Sequence, residues 1–325
     1  MTAIPPAPDT PPTVRTSPSS PATGTPAAGP RRAAAHRSRC TWLVAPGGRP
    51  GRFEAARNSG ADVVLLDLED SVPLTAKDAA RAEVLSFVQG ERLGHVIGGG
   101  ALGVRVNALD TIAGLKDVLG LDAGPLPALL LIPKVEAARD IELVAQLLSA
   151  SGRQCDIWAL IETPRAIQNL SSILGAPLAG VCFGAADYAT AAGCQLSSKG
   201  LWYPRAALAA QAAAAGLLAV DSPYFGLEDP DGLRRETEEG AALGFSGKVA
   251  IHPRQLPVIQ AVFRPTPQDV EAARAVVQAA DRAGGGITTV DGRMVGPPLV
   301  AAARALTVRA DAMAPLSTKE KHDGE

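Results

Sequence analysis

The chain has few of the residues on which several protein classes depend. Its 325 residues include only four cysteines, with no CxxC pair, and only four histidines. A disulfide framework or a structural zinc site is therefore not expected, and a reducing cytoplasm is the expected location. A triad or a multi-histidine metal site would have to use His95 or His252, since the other two histidines lie near the chain ends.

The sequence also lacks long apolar runs and any excess of positive charge. No stretch of about 18 apolar residues is present, so no transmembrane helix is expected, and the first residues do not resemble a secretory signal. Lys plus Arg number 31 and Asp plus Glu number 33, giving a net charge of −2. Nucleic-acid binding needs a concentrated basic surface, so neither nucleic acid nor membrane is an expected partner.

Composition divides the chain into four parts. Residues 1–36 hold nine of the 27 prolines and no aromatic residue, which predicts a disordered tail. Residues 315–325 predict a second, shorter tail. Between them, we expect a barrel domain over residues 37–264 and a helical appendage over residues 265–314.

Short apolar runs alternate with alanine-rich stretches along the middle of the chain. The predicted strands are Thr41–Ala45, Asp62–Leu66, Leu102–Val106, Ala128–Ile132, Ile157–Ile161, Leu178–Phe183, Leu217–Val220 and Gly247–Ile251. The predicted helices are Pro50–Ser59, Ala76–Gln89, Val135–Leu148, Pro204–Ala215 and Gly232–Leu243, followed by Pro267–Ala283 and Pro297–Ala312 on either side of a glycine-rich turn.

The predicted strands are continuous apolar runs, as expected for parallel strands that are buried on both faces. Eight of them with intervening helices predict an α/β fold, a (β/α)₈ TIM barrel with extra C-terminal helices. A doubly wound open sheet is the alternative, but no GxGxxG motif follows the first strand.

Six successive strands, the second to the seventh, finish with ionisable groups. These are Asp67, Glu69 and Asp70, then Arg105, Lys134, Glu162, Asp187 and Asp221. Active sites of TIM barrels lie at this end of the strands, and clustered charges are costly unless something neutralises them. Glu162 and Asp187 follow neighbouring strands, and Mg²⁺ is commonly held by two carboxylates together with water and substrate oxygens.

Several motifs together resemble one family, the citrate lyase β-subunit-like proteins of the HpcH/HpaI aldolase superfamily. The chain reads LVAPGGRP, GADVVLLDLED, GVRVNALDT, LIPKVEAARDI, ALIETPRAI and GVCFGAADY in the family's order. The resemblance runs from about Cys40 to Ala312. It implies a (β/α)₈ barrel with added C-terminal helices, in a homotrimer or hexamer.

The resemblance also implies a ligand set. Mg²⁺ would be held by Glu162 and Asp187, and Arg105 would grip the carboxylate of a keto or hydroxy acid, for which its planar fork is suited. Backbone N–H groups of Gly184, Ala185, Ala186 and Asp187 would help to hold the acid. Glu69 and Asp70 would form the catalytic acidic pair beside the ion, and Lys134 would be either a charge in the pocket or a structural ion-pair partner.

The implied reaction is cleavage of a β-hydroxyacyl-CoA of citryl-, malyl- or citramalyl-CoA type into a small keto acid and an acyl-CoA. Condensation or thioester hydrolysis on the same site remains an alternative. The chain departs from the family pattern at Cys40–Thr41, where Arg-Ser is usual, at Gly48 in GGRP, and at Gly296, where an acid/base Asp is usual. Gly296 also leaves open a barrel that binds these ligands without catalysis.

Overall fold

The computed structural model describes residues 39–92, 100–124, 126–284 and 286–313. The tails predicted over residues 1–36 and 315–325 lie outside these ranges. None of the helices in the described ranges is long and apolar enough to cross a membrane.

Eight parallel strands close into a barrel in the order of the chain, which confirms the predicted fold class. The strands are β1 (Thr41–Pro46), β2 (Val63–Asp67), β3 (Ala101–Arg105), β4 (Leu129–Ile132), β5 (Asp156–Ile161), β6 (Gly180–Phe183), β7 (Leu218–Asp221) and β8 (Gly247–Ala250). Each lies within one or two residues of its predicted position, because a run of four to six apolar residues can be buried on both faces only as a strand of this kind.

Helices surround the barrel and extend beyond it. They are α1 (Phe53–Arg57), α2 (Lys77–Arg92), α3 (Ile112–Ala123), α4 (Ala138–Ala150), α5 (Pro164–Gln168), α6 (Leu170–Leu174), α7 (Ala185–Ala192), α8 (Ser198–Ala214), α9 (Pro230–Leu243), α10 (Leu256–Phe263), α11 (Pro267–Arg282) and α12 (Pro297–Met313). Helices α3, α5, α6, α7 and α10 were not predicted, because they are short or lack a clear period.

Two predictions about local structure were wrong. Helix α8 begins at Ser198, six residues before the predicted start at Pro204, because the hydroxyl of Ser197 caps it by accepting from the N–H of Gly200. The predicted glycine-rich turn contains an antiparallel hairpin, β9 (Thr288–Val290) and β10 (Arg293–Val295). Asp291 and Gly292 join the strands with φ values of 47° and 74°, the positive angles that a tight hairpin turn requires.

The barrel interior is closed by aromatic and aliphatic side chains below the mouth. Trp42 of β1 and Trp158 of β5 meet edge to face with ring centroids 4.6 Å apart. Gly180 makes room for them, since a Cβ there would lie about 2.5 Å from the Trp158 ring. Because this floor is packed solid, ligands can enter only at the carboxyl ends of the strands.

One strand-end charge lies outside the barrel mouth, contrary to the sequence-based expectation. Asp221 ends β7, but its side chain is fully buried between the barrel and the helices. It accepts from the guanidinium of Arg205 at 2.7 Å and lies 3.1 Å from the ammonium of Lys248. Side chains of a strand alternate between faces, and Val220 takes the inward position instead. Asp221 therefore joins β7, β8 and α8 and takes no part in the candidate site.

We predict that Asp221→Asn lowers the free energy of unfolding by about 3–5 kcal/mol, because it leaves Arg205 and Lys248 buried without their carboxylate. Urea unfolding measures the effect. The matched control is Asp281→Asn, whose partner Arg304 lies at a similar 2.7 Å but with both side chains about 60% exposed. That change should cost no more than about 1 kcal/mol. Equal losses in the two variants would contradict a structural role for the buried network.

Candidate active site

The mouth of the barrel holds a cavity of about 800 Å³ in which the strand-end side chains meet. Its lining includes Asp67, Asp70, Arg105, Glu162, Gly184, Ala185, Ala186 and Asp187 together with an apolar wall of Pro46, Phe225 and Ile251. Most of the residues proposed from the sequence therefore share one cavity. A large cavity with a few converging polar groups is the usual form of a small-molecule site.

Two carboxylates of this cavity share contact with one ammonium, that of Lys134. The Nζ of Lys134 lies 3.6 Å from Glu162 Oε1 and 3.0 Å from Asp187 Oδ2. The backbone N–H of Lys134 also donates to Glu162 Oε1 at 2.8 Å. Of the two roles that the sequence left open for Lys134, the structure shows the ion-pair partner.

The two carboxylates differ in their environment. Glu162 is only 1% exposed, and its burial together with the neighbouring Glu69 raises the pKa of its carboxyl to about 8. Asp187 is 42% exposed at the side chain. Burial opposes its ionisation, but the hydrogen bond from Lys134 prevails and holds the pKa of Asp187 below its usual range. The ammonium of Lys134 therefore does not offset the effect of burial on Glu162.

The carboxylate of Asp67 holds Arg105 from one side, although the sequence analysis assigned Asp67 no role in the site. Its Nε donates to Asp67 Oδ1 at 2.6 Å, and its Nη2 donates to Asp67 Oδ2 at 2.8 Å. Asp67 and Arg105 are direct neighbours in the pairing of β2 with β3. Burial works against ionisation of Asp67, yet the hydrogen bonds from Arg105 lower the pKa of its carboxyl.

The segment after β2 is tied down by the same carboxylate and by a lysine. Asp67 accepts from the backbone N–H groups of Glu69 at 2.9 Å and of Ser71 at 3.2 Å. The buried ammonium of Lys77, at the start of α2, donates to the carbonyls of Leu68 and Glu69. Sequence analysis missed Asp67 and Lys77 as site residues. Asp67 shares the inward face of β2 with Leu65, but the continuous apolar run of this strand does not show which face is inward.

Glu69 and Asp70, the expected acidic pair, occupy different environments. Glu69 is buried, and that burial raises the pKa of its carboxyl to about 7. Its Oε2 lies 3.1 Å from Nη1 of Arg105, yet no described residue donates a well-aligned hydrogen bond to it. Asp70 is 64% exposed, with its nearest carboxylate oxygen 3.8 Å from Arg105. Glu69 can therefore hold or release a proton near neutral pH beside Arg105.

The start of α7 supplies backbone donors to the cavity. Ala185, Ala186 and Asp187 form its first turn, where N–H groups have no intrahelical partner. The N–H of Gly184 is different, because it donates to the carbonyl of Ile161 in the neighbouring strand. A helix N-terminus favours negative charge, so this turn suits a bound carboxylate.

The donor set fits a magnesium ion. In the described ranges no group of three or more His, Cys, Asp and Glu side chains could hold a metal unaided, so protein ligands would be limited to Glu162 and Asp187. Mg²⁺ is commonly bound through one or two carboxylates, with water and substrate oxygens completing the shell. The raised pKa of Glu162 and the undonated Glu69 Oε2 both indicate a place where further positive charge would be stabilising.

The protein is a TIM barrel whose mouth holds two carboxylates and an arginine, and its residues 211–312 match the class of TIM-barrel carbon–carbon lyases. More specifically, the chain belongs to the HpcH/HpaI aldolase/citrate lyase family, which matches residues 41–253. The family resemblance drawn from the sequence motifs is thereby confirmed, and the protein is an enzyme of the CoA-ester lyase group.

Relatives in this group include enzymes of two activities. The chain is 35% identical over 285 residues to a (3S)-malyl-CoA thioesterase of Cereibacter sphaeroides, covering 84% of this chain and 94% of that protein. It is 34% identical over 290 residues to an L-malyl-CoA/beta-methylmalyl-CoA lyase of the same species, covering 79% and 90%.

A solved structure supports the same grouping. The protein CitE from Mycobacterium tuberculosis, in complex with magnesium, acetoacetate and coenzyme A, aligns with a TM-score of 0.70 and 32% identity. The alignment covers 84% of this chain and 98% of that one.

We predict that Glu162→Gln abolishes stabilisation by Mg²⁺ and flattens the pH dependence of stability in the metal-free protein. Glu162 has an ordinary pKa of 4.5 and a folded value of about 8. Between these values the folded chain binds more protons than the unfolded chain, so stability falls as pH rises through this window. Thermal unfolding from pH 6 to 9, with chelator or with Mg²⁺, measures both effects.

Glu142→Gln is the matched control, since Glu142 lies on α4 and is partly exposed beside Arg139. It should behave like the unaltered protein in both buffers. Stabilisation by Mg²⁺ that survives in Glu162→Gln would remove Glu162 from the metal site.

We predict that Gly184→Ala weakens Mg²⁺ binding at least tenfold. An added Cβ at Gly184 would lie 2.5 Å from the Glu162 Cβ and 2.6 Å from its Oε2, so the carboxylate must move. Gly90→Ala is the control, because a Cβ there meets nothing within 4 Å and alanine is favoured inside α2. Calorimetric titration with Mg²⁺ compares the two, and equal affinities would show that the position of Glu162 does not determine metal binding.

Proposed function

We propose that this protein is a Mg²⁺-dependent carbon–carbon lyase that cleaves a β-hydroxyacyl-CoA into a small keto acid and an acyl-CoA. The observation that carries the proposal is one cavity in which Glu162, Asp187 and Arg105 converge. The relative named as a malyl-CoA lyase supports it, as does the solved complex that contains magnesium, acetoacetate and coenzyme A.

Glu162 and Asp187 would hold the ion. When bound, Mg²⁺ acts as a Lewis acid that offsets the negative charge developing on the substrate oxygen. Arg105 would bind the carboxylate of the acid portion, and the first turn of α7 would donate to the same group. The apolar wall at Phe225 and Ile251 would accept the acyl portion, because it offers no charge.

In the cleavage direction, the hydroxyl proton leaves the substrate and the C–C bond breaks. Its electron pair passes to the thioester α-carbon as an enolate, which then takes up a proton to give the acyl-CoA. Glu69 is the group suited to accept the hydroxyl proton, since the pKa of its buried carboxyl is about 7. Lys134 would counterbalance the charge of Glu162 and Asp187 while the site is open.

Thioester hydrolysis on the same site is the second candidate. It is favoured by Gly296, which offers no proton to an enolate at the position where the family usually carries an Asp. The malyl-CoA thioesterase among the relatives supports it. Both reactions use the same acid-binding residues and differ in which bond breaks.

As the family resemblance implies, we propose a homotrimer or hexamer. The C-terminal unit carries exposed apolar side chains that such an assembly would cover, including Ile287 at 69% and Met294 at 71% exposure.

The deciding experiment incubates malyl-, citramalyl- and hydroxymethylglutaryl-CoA with the protein, with and without Mg²⁺. The expected products are an acyl-CoA and a keto acid, identified by mass spectrometry, and only with Mg²⁺. Free coenzyme A with an intact hydroxy acid would identify hydrolysis instead. No turnover of any thioester, despite binding of Mg²⁺ and keto acid, would favour a binding protein and overturn both candidates.

We predict that Gly296→Asp raises carbon–carbon cleavage by 10-fold or more relative to hydrolysis, because a positioned acid typically contributes a factor of about 10²–10⁴. The side chain fits, since the nearest atom to an added Cβ is Pro298 Cδ at 4.0 Å. Met294→Asp adds the same charge on the same hairpin and should not change the product ratio. An unchanged ratio in Gly296→Asp would show that the reaction does not need this acid.

A further inference from the structure

Arg105 has two edges on which a carboxylate can bind through paired N–H groups, and a neighbour already occupies one of them. Asp67 takes the edge formed by Nε and Nη2 with two hydrogen bonds of 2.6 and 2.8 Å. Asp67 lines the cavity but is only 1% exposed, because its carboxylate is turned to Arg105 and to backbone N–H groups. The remaining edge is formed by Nη1 and Nη2; Glu69 Oε2 lies 3.1 Å from Nη1 without an aligned hydrogen bond, and Arg105 lines the cavity.

Four contacts make Asp67 rigid. Besides the two bonds from Arg105, its oxygens accept from the N–H groups of Glu69 and Ser71. The strand pairing sets Asp67 and Arg105 side by side, so the contact does not depend on a flexible loop. A carboxylate held in this way fixes both the plane and the position of the guanidinium.

Arg105 has competing partners if Asp67 is removed. Glu69 and Asp70 lie 3.1 and 3.8 Å from Nη1 on the other side. Without Asp67, the guanidinium would turn toward these two carboxylates and offer the substrate no free paired edge. Positioning therefore matters more for Arg105 than for an arginine with a single acidic neighbour.

We propose that Asp67 is a positioning residue of the acid-binding site: by occupying the Nε–Nη2 edge of Arg105, it reserves the Nη1–Nη2 edge for the carboxylate of the substrate. This inference rests on the proposed function, in which Arg105 binds the acid portion. It adds a determinant of specificity, since a guanidinium held in one plane favours a planar, charged carboxylate over a neutral amide of the same shape.

The sign of the effect separates positioning from simple charge balance. If Asp67 only neutralised Arg105, its removal would leave a stronger free charge, and a bound carboxylate would be held more tightly. If Asp67 positions Arg105, its removal weakens carboxylate binding, although the net positive charge of the site rises.

The test measures binding of pyruvate and of pyruvamide to the Mg²⁺-saturated protein by calorimetry, with Mn²⁺ affinity as a separate readout. Asp67→Asn should raise the Kd for pyruvate at least tenfold and reduce the preference for pyruvate over pyruvamide, while the Kd for Mn²⁺ stays within twofold. Asp67→Glu keeps the charge but displaces it by one methylene, so it should also weaken pyruvate binding. It serves as the test if Asp67→Asn does not fold.

Asp117→Asn is the matched control. Asp117 is buried and accepts from Nε of Arg81 at 2.6 Å, the same bond that Asp67 makes. This variant should lose stability but keep its pyruvate affinity.

Three outcomes would overturn the proposal: unchanged pyruvate affinity in Asp67→Asn or Asp67→Glu, tighter binding in Asp67→Asn, or a matching loss of Mn²⁺ affinity that indicates collapse of the pocket. The variant Arg105→Met distinguishes failure of the proposed acid-binding site from failure of the positioning role alone. If it leaves pyruvate affinity intact, the proposed acid-binding site itself fails. If it abolishes binding while Asp67→Asn does not, only the positioning role fails.

Discussion

The arrangement of this protein depends on an excess of carboxylates over cations in the mouth of a closed barrel. Among the described residues there, the carboxylates of Asp67, Glu69, Asp70, Glu162 and Asp187 pair with the cations Arg105 and Lys134. Arg52 is a further cation that lines the mouth. Burial, reinforced by neighbouring carboxylates, raises the pKa values of Glu69 and Glu162 in spite of Arg105 and Lys134. A barrel floor packed with tryptophan keeps water away from below, so the imbalance can be relieved only by a cation or a proton that enters from the mouth.

The carboxylates are of two kinds: some stay ionised, and others can change their protonation state. Asp67 has a lowered pKa and four hydrogen bonds, so it stays ionised and defines the geometry of Arg105. Glu69, two residues later, has a raised pKa and an oxygen without an aligned donor, so it can change its protonation state. One strand end thus supplies both a rigid anchor and a proton-transfer group, because the peptide N–H of Glu69 is itself held by Asp67. Pairs of acids whose environments separate their pKa values are typical of acid–base sites.

The sequence predicted the barrel well because each buried strand needs a continuous apolar run, and it predicted the convergence of Arg105, Glu162 and Asp187 because parallel strands end at one edge. The sequence did not predict which strand-end side chains point into the barrel and which point toward the helices. Asp221 looked equivalent to Asp67 as a strand-end acid, yet one residue of register turns it outward to Arg205.

The side-chain partners of Lys134, and the edge of Arg105 that Asp67 occupies, depend on distances that no spacing in the sequence encodes. An Asp-Gly pair such as Asp291–Gly292 is typical of a hairpin turn, so this hairpin could have been predicted from the sequence.

The choice between cleavage and hydrolysis follows from where protons can be supplied. Glu69 lies beside Arg105, so in the proposed reaction it would serve the hydroxyl group of the acid portion that Arg105 would bind. Protonation of an enolate must occur on the thioester side, where the cavity wall is apolar around Phe225 and Ile251. Gly296 leaves open space at the position from which the family usually brings an acid, and no packing contact demands glycine there. Gly296 therefore changes the proposed chemistry and not the fold, since the barrel and the cavity with Glu162 and Asp187 are built without it.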